Sequence, residues 1–218
     1  MIKKNRKKLL ISSIIILLPT VIGLILWNKL PDKIPVHFGI DGKVDGWAEK
    51  TSAVFEIPLI ILATHWITVV ITNFDAKNKN QTPKALNLIF WIMPCISVFS
   101  MTIVYRAAFG VDKLDIFPFL FVFMGLLFAV IGNYLPKCRQ NRTLGIRIKW
   151  TLQNEENWNA THRFGGKVWF VGGLLITVVA LIPYDFSMFI ALGILVGIAV
   201  IPCIYSYVYH RRQLKKRN

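Results

Sequence analysis

The chain alternates between long apolar runs and shorter polar segments, and this pattern predicts six transmembrane helices. The apolar runs occupy residues 9–27, 53–72, 86–108, 114–135, 168–182 and 186–208. Each run is long enough, or nearly so, for the roughly 20 apolar residues that cross a hydrocarbon core of about 30 Å. The pattern therefore predicts an all-α integral membrane protein that forms a single membrane domain over residues 1–218.

The polar segment between the first two spans, residues 28–52, predicts a small β-hairpin. Apolar residues alternate with other residues over 35–40, and the Asp-Gly dipeptide at 41–42 is a strong two-residue turn. Pairing the strands about this turn sets opposite each other Phe38 and Asp45, Val36 and Trp47, and His37 and Gly46.

Three interpretations of this outer loop are open. It is a lid over the ends of the helices, a recognition element, or a calcium site. Calcium is disfavoured because, in the loop pattern started by Asp41, Lys43 stands where an oxygen ligand is needed and Ser52 stands where a bidentate glutamate is needed. As a recognition element, its candidate residues are Pro35, His37, Gly42, Gly46 and Trp47.

A second long polar segment, residues 136–167, lies between the fourth and fifth spans. Pro136 is expected to end the fourth span, and Asn154 is a plausible N-cap for a short cytoplasmic amphipathic helix. Gly165 and Gly166 then permit a bend from this helix into the fifth span. One stripe of the helix carries Trp158, Thr161, His162 and Gly165.

The inner segment also has three open interpretations. Its helix lies among the lipid headgroups, where basic residues such as Arg142, Arg147, Lys149 and Arg163 attract anionic lipid. Alternatively, the segment is a docking surface for a protein partner, or a structural plug under the helices.

The charges along the chain predict how it is oriented in the membrane. The net charge is +15, yet only 17% of the residues are charged, against about 25% in an average soluble domain. The N-terminus, the second and fourth loops and the C-terminal tail hold 20 of the 26 basic residues. The positive-inside rule therefore predicts that both termini are cytoplasmic. A nucleic-acid surface has no reason to alternate in this way, so we expect no direct nucleic-acid binding.

Ionisable residues within the spans are candidates for function because they are costly in hydrocarbon. Glu56 and Arg106 share a depth, which predicts either an interhelical pair or two separate interfacial side chains. His65 lies near mid-depth and out of phase with Glu56, so it is either a helix-packing histidine or a proton-coupling group. The residues from Gly193 to Gly197 form a Gly-x-x-x-Gly motif, which permits close helix contact.

The sequence contains no motif of a known catalytic chemistry. H-E-x-x-H, G-x-S-x-G, Walker A and clustered Cys/His metal motifs are all absent from it. Gly- or Pro-broken spans do not recur in both halves, which disfavours a secondary transporter. We therefore expect a protein that is not an enzyme and needs no cofactor.

The two long loops together resemble the SdpI family of bacterial toxin-immunity membrane proteins. The outer loop resembles the N-terminal domain of unknown function found in that family, through Leu30, Pro31, Ile34, Pro35, His37, Gly42, Gly46 and Trp47. The inner segment resembles the C-terminal signature of the family. The matching residues are Gly132, Asn133, Pro136, Lys137, Asn141, Gly145, Ile146, Arg147, Trp150, Thr151, Leu152, Trp158, Thr161, His162, Arg163, Gly165 and Gly166.

This resemblance implies a multi-pass protein of the bacterial cytoplasmic membrane that protects its producer against a secreted peptide toxin. It also implies a signalling role, in which the protein holds a cytosolic transcriptional repressor at the membrane. The expected partners are thus the lipid bilayer, a peptide toxin and a repressor. The alternatives are a signalling adaptor or envelope-stress protein without immunity, and, less favoured, a small transporter.

Overall fold

The computed structural model describes residues 2–39, 43–75, 81–110, 116–182 and 186–217. Over these residues, six helices are long and apolar enough to cross a membrane, which confirms the six-span prediction. The cytoplasmic placement of both termini stays a prediction. In chain order the helices are α1 (Arg6–Ile25), α2 (Ile57–Phe74), α3 (Pro83–Ala108), α4 (Ile116–Tyr134), the short α5 (Lys149–Gln153), α6 (Glu155–Ala180) and α7 (Ser187–Arg217).

Local sequence sets the ends of several helices. Helix α3 follows Thr82, whose hydroxyl accepts a hydrogen bond from the backbone N–H of Ala85 at 3.2 Å. Helix α6 follows Asn154, whose side-chain oxygen accepts from the N–H of Asn157 at 2.8 Å, so the predicted N-cap is confirmed. Helix α4 gives way to a 3-10 turn that contains Pro136, as predicted, because proline lacks the amide donor of a helix interior.

The fold divides into two compact units, and the first comprises Met1–Asn73 and Asn87–Ile116. Its core joins the hairpin loop to the helices. This core consists of Leu30, Ile34, Ala53, Val54, Met101, Val104 and Tyr105. Because Ile34 is fully buried there, the hairpin is anchored to the membrane helices of its own unit.

Helices α1 and α3 of the first unit are joined by side-chain hydrogen bonds to backbone carbonyls. Ser97 donates to the carbonyl of Ile16 at 2.8 Å, and Tyr105 donates to the carbonyl of Pro19 at 2.7 Å. Hydrogen bonds of this kind hold helices together where lipid supplies no polar partner.

The hairpin consists of β1 (Lys33–Phe38) and β2 (Val44–Glu49), paired antiparallel. The predicted pairing of His37 with Gly46 is confirmed. The other two predicted pairs are wrong, because the remaining observed pairs share a register one residue away from the predicted one. Only the pair at His37, which has an irregularity on each side as in a β-bulge, departs from that register. The turn at 41–42 lies outside the described residues. The observed pairs are Phe38 with Val44 and Pro35 with Trp47.

The second unit comprises Phe74–Leu86 and Phe117–Asn218. Its helices α4 and α6 cross at two pairs of glycines. A Cβ atom on Gly125 would lie 2.5 Å from the carbonyl oxygen of Gly173, and one on Gly132 would lie 2.8 Å from that of Gly166. Only glycine permits so close an approach of two helix backbones.

The predicted short amphipathic helix is instead the first part of α6, which runs without interruption from Glu155 to Ala180. The helix is thus continuous at Gly165 and Gly166, where the sequence would permit a bend. These glycines serve packing, since a Cβ on Gly166 would lie 2.8 Å from atoms of Pro136, and one on Gly165 would lie 2.7 Å from Ile146. At 1.5 Å per residue, α6 is about 39 Å long, which exceeds the hydrocarbon thickness.

Candidate functional site

The hairpin has one buried part and one part exposed to solvent. Ile34 and Pro35 are buried against the first unit. The side chain of Trp47 is 58% exposed, and His37 and Asp45 are exposed beside it. Of the predicted recognition residues, the structure thus leaves His37 and Trp47 accessible, whereas Gly42 lies outside the described residues.

His37 is oriented by a carboxylate. Its Nδ1 atom lies 2.5 Å from Oδ1 of Asp45, and the two side chains are 73% and 51% exposed. An ionised carboxylate only accepts hydrogen bonds, so Nδ1 of His37 donates the hydrogen bond to Asp45. Gly46 makes room for this arrangement, because a Cβ there would lie 2.7 Å from the Cβ of His37. The pair can therefore present a hydrogen-bonding group in a fixed direction beside an exposed indole.

The base of the hairpin is closed by Lys50. Its backbone N–H donates to the carbonyl of Asp32 at 2.8 Å, and its ammonium lies 3.2 Å from the carboxylate of Asp32. The ammonium also lies 5.3 Å from the ring centroid of Trp27. These contacts tie both ends of the hairpin together, so the exposed side chains of His37 and Trp47 stand on a fixed base.

In the inner segment, Asn141 organises a tight turn. Its side-chain oxygen accepts from the N–H groups of Thr143 at 2.7 Å and Leu144 at 2.6 Å, and its amide donates to the carbonyl of Arg139 at 2.8 Å. Asn141 is fully buried, so its side chain supplies partners to a backbone that lacks regular secondary structure. The role of this signature residue is local folding.

His162 holds the next part of the segment in place. Its Nε2 accepts from the backbone N–H of Ile146 at 3.0 Å, and its Nδ1 donates to the carbonyl of Trp158 at 2.9 Å. The two bonds select the neutral tautomer with the proton on Nδ1. Gly145 must be glycine, because its φ is +97° and a Cβ there would collide with Nε2 of His162.

Trp158 is fully buried beneath the same loop. Its ring stacks on that of His162 with centroids 4.0 Å apart, and its Nε1 donates to the carbonyl of Cys138 at 2.8 Å. Cys138 and Ala85 complete this small core. Burial raises the pKa of the Cys138 thiol to about 11, so the thiol is protonated and unreactive at neutral pH.

Thr151 fixes the start of α5. Its hydroxyl accepts from the N–H of Ile148 at 3.1 Å and lies 2.8 Å from the carbonyl oxygen of Ile146. Gln140 donates to the carbonyl of Thr151 at 2.8 Å. Thr151 is fully buried, so it too supports the backbone of the segment.

Asn157 joins α6 to α7, and it was not predicted from the sequence. Its side-chain oxygen accepts from the hydroxyls of Thr161 at 2.9 Å and Ser206 at 2.6 Å, and its amide donates to the carbonyl of Ser206 at 2.9 Å. The four-residue spacing from Thr161 and the position beside Trp158 were the available signals.

The inner signature therefore splits by exposure. Its buried members are Gly132, Asn141, Ile146, Thr151, Trp158, Thr161, His162, Gly165 and Gly166. Its exposed members are Asn133, Pro136, Gly145, Arg147, Leu152 and Arg163, and Lys137 and Trp150 are half-buried. The stripe of Trp158, Thr161 and His162 faces protein and not lipid headgroups. Arg147 is held in place by a hydrogen bond from its guanidinium to the carbonyl of Arg142 at 2.8 Å.

The ionisable residues predicted within the spans differ in their burial and in their contacts. His65 is fully buried, and its Nε2 lies 2.9 Å from the hydroxyl of Ser12 on α1, a contact typical of a helix-packing histidine. Glu56 is exposed and accepts from the hydroxyl of Ser52 at 3.0 Å. The pairing of Glu56 with Arg106 stays a prediction.

Comparisons with known proteins match both loops. Residues 137–206 match the SdpI/YfhL protein family, and residues 14–62 match the Domain of unknown function (DUF1648). The chain is 26% identical over 207 residues to the Immunity protein SdpI of Bacillus subtilis (strain 168), an alignment that covers 94% of this chain and 97% of the relative. No solved structure matches the chain. The resemblance seen in the sequence is thereby confirmed, and the chain is a multi-pass cell-membrane protein.

Proposed function

We propose that this member of the SdpI family is an immunity protein of the cell membrane, which protects the cell that makes a secreted peptide toxin. The observation that carries the proposal is similarity along nearly the whole of both chains to a protein named for immunity. The similarity includes both the outer hairpin and the inner segment, which hold most of the chemistry outside the spans.

The exposed strand residues His37, Asp45 and Trp47 of the hairpin are the proposed contact for the toxin. Trp47 supplies a large apolar surface, and the imidazole of His37, oriented by Asp45, supplies a hydrogen bond beside it. Tryptophan is enriched among the residues that dominate binding energy in protein interfaces. The strands that carry these residues are paired with each other and closed at their base, so the contact residues need little ordering when a peptide binds, which favours affinity.

Protection of a toxin-sensitive strain tests the proposal. Expression of the chain should raise the survival of cells exposed to the cognate peptide, and unchanged killing would overturn the immunity function. The double substitution His37→Ala with Trp47→Ala should remove most of the protection. The matched control is Trp91→Ala, which removes an exposed tryptophan from span α3 and should leave protection intact.

The level of protein in the membrane must be measured in parallel, because loss of expression would imitate loss of recognition. If the double variant reaches the wild-type level and still protects fully, the toxin contact is not at the hairpin. The proposal that the protein confers immunity would remain in that case, and only the location of the toxin contact would be rejected.

The second proposed activity is capture of a cytosolic repressor by the inner segment. The exposed arginines Arg147 and Arg163 support it, since they are the signature residues that combine charge with exposure. Replacing both by alanine should abolish co-purification of the repressor with membranes. Arg139→Ala, which removes a neighbouring exposed arginine, should not. Capture that survives loss of Arg147 and Arg163 would reject this docking site.

A further inference from the structure

A belt of aromatic and basic side chains lies where α5 meets α7. We call Lys149, Trp150, Tyr207, His210, Arg211 and Lys215 the α5–α7 belt. The ring of Trp150 lies 5.0 Å from that of Tyr207 and 6.4 Å from that of His210, measured between centroids. Lys149 precedes Trp150 in the chain, and the basic residues of α7 follow Tyr207 within two turns.

The depth of the belt follows from the length of α7. The rise from Ser187 to Tyr207 is about 30 Å at 1.5 Å per residue, which equals the thickness of the hydrocarbon core. The α7 side chains on either side of Tyr207 in the chain, Ile204 and Val208, are apolar and exposed. The belt therefore occupies the level at which acyl chains end and headgroups begin, where tryptophan and tyrosine are enriched in membrane proteins.

The charge of the belt matches an anionic headgroup. Arg211 lies four residues after Tyr207, and Lys215 four further, so the three share one side of the helix. Lys149, Arg211 and Lys215 are exposed. The nearby carboxylates, Glu155 and Glu156, begin α6, and Glu156 accepts from Gln213 at 2.7 Å. Residues 149–163 and 207–215 together hold five cations and two carboxylates, so the surface stays positive.

The belt is also held rigidly. Thr151 and Gln140 fix the backbone of α5, and the hydrogen bonds of Asn157 to Ser206 fix α7 against α6 just before the belt.

We infer that the α5–α7 belt binds the headgroup of an anionic phospholipid, with Lys149, Arg211 and Lys215 around the phosphate and Trp150 and Tyr207 at the glycerol level. Basic clusters at this depth are the usual sites for such lipids.

Thermal unfolding of the purified chain in a neutral detergent tests the inference. Added phosphatidylglycerol should raise the unfolding midpoint by several degrees more than the same amount of phosphatidylcholine. Lys149→Gln with Arg211→Gln and Lys215→Gln should remove most of this difference. The conservative triple variant Lys149→Arg, Arg211→Lys and Lys215→Arg should retain it.

The matched control removes the same number of exposed cations elsewhere, by Lys3→Gln with Lys4→Gln and Lys7→Gln. This variant should keep the preference for phosphatidylglycerol. The inference is overturned if both glutamine variants lose it equally, since net charge then explains it, or if the belt variant keeps it. It is also overturned if inorganic phosphate alone gives the full shift, because the ligand is then a free anion. An unchanged midpoint of the belt variant without lipid shows that it folds.

Discussion

The outer hairpin and the inner segment both carry signature residues, but they place them in opposite surroundings. In the hairpin, His37 and Trp47 project into solvent. In the inner segment, His162 and Trp158 stack on each other in a buried core and bond to backbone groups. The same pair of residue types therefore presents a surface for contact in one unit and supports a loop in the other. Exposure, and not residue type, separates the two roles.

The inner arrangement has a physical cause. The chain from 138 to 148 passes through the second unit without regular secondary structure, so its backbone groups need partners from side chains. Asn141, Thr151 and His162 supply them. The hairpin needs no such support because its strands bond to each other. Its polar side chains are free to face outward.

Replacing the two tryptophans tests this difference most strongly. Trp158→Ala should lower the free energy of unfolding by about 3–5 kcal/mol, because it empties a buried site and leaves the carbonyl of Cys138 without its donor. Trp47→Ala, at an exposed ring, should change it by less than about 0.5 kcal/mol. Titration with SDS in mixed micelles measures both. Equal losses would contradict the assignment of one ring to support and the other to contact.

Two glycines with positive φ give the next largest effect. Gly145→Ala should cost about 2–4 kcal/mol of unfolding free energy, because a left-handed backbone strains alanine and the new Cβ collides with His162. Gly110 has a φ of +68°, and a Cβ there would meet none of the described residues within 4 Å. Gly110→Ala should therefore cost only about 1–2 kcal/mol of unfolding free energy, from backbone strain. The same SDS titration compares them. If Gly145→Ala cost no more than Gly110→Ala, the His162 side chain would have moved to make room for the new Cβ, and it would not be held in place by its hydrogen bonds.

Much of the fold could be predicted from the sequence because the signals are local. The length of each span follows from the thickness of the hydrocarbon core. The N-cap at Asn154 and the end of α4 near Pro136 follow from backbone chemistry within one helical turn. The hairpin itself was also predicted locally, from the alternation over residues 35–40 and the Asp-Gly dipeptide at 41–42. Each of these rules needs no knowledge of distant residues.

The remaining features depend on tertiary packing. The register of the observed strand pairs differs by one residue from the register predicted from the turn, except at His37 with Gly46, and no residue signals this in advance. Gly165 and Gly166 suggest a bend, yet neighbouring helices press against them and the helix stays continuous. The motif at 193–197 permits close helix contact, yet no described atom lies within 4 Å of a Cβ built on Gly193. The close contact is made instead by glycines spaced seven residues apart on α4 and on α6. The seven-residue spacing of these glycines can be seen in the sequence, but the sequence does not show which helix packs against which.

A single buried hydroxyl gives a smaller effect within the inner segment. Thr151→Val should lower the free energy of unfolding by about 1–2 kcal/mol, because the N–H of Ile148 loses its acceptor while the volume is kept. Thr151→Ser keeps the hydroxyl and should cost clearly less. If serine and valine cost the same, the methyl group and not the hydrogen bond would stabilise the segment, and the proposed support of its backbone would be wrong.

The smallest effect on stability is expected at the hairpin. Asp45→Ala breaks an exposed pair with His37, and such pairs contribute at most about 0.5–1 kcal/mol, further reduced by salt. Unfolding measured at low and at high salt should therefore differ little from the wild type. Protection against the toxin should nevertheless fall, because the imidazole of His37 loses the carboxylate that directs it. A stability loss as large as that of Thr151→Val would make the pair structural, and the two regions would then no longer differ in kind. Unchanged stability with weakened protection would assign Asp45 to positioning His37 for contact.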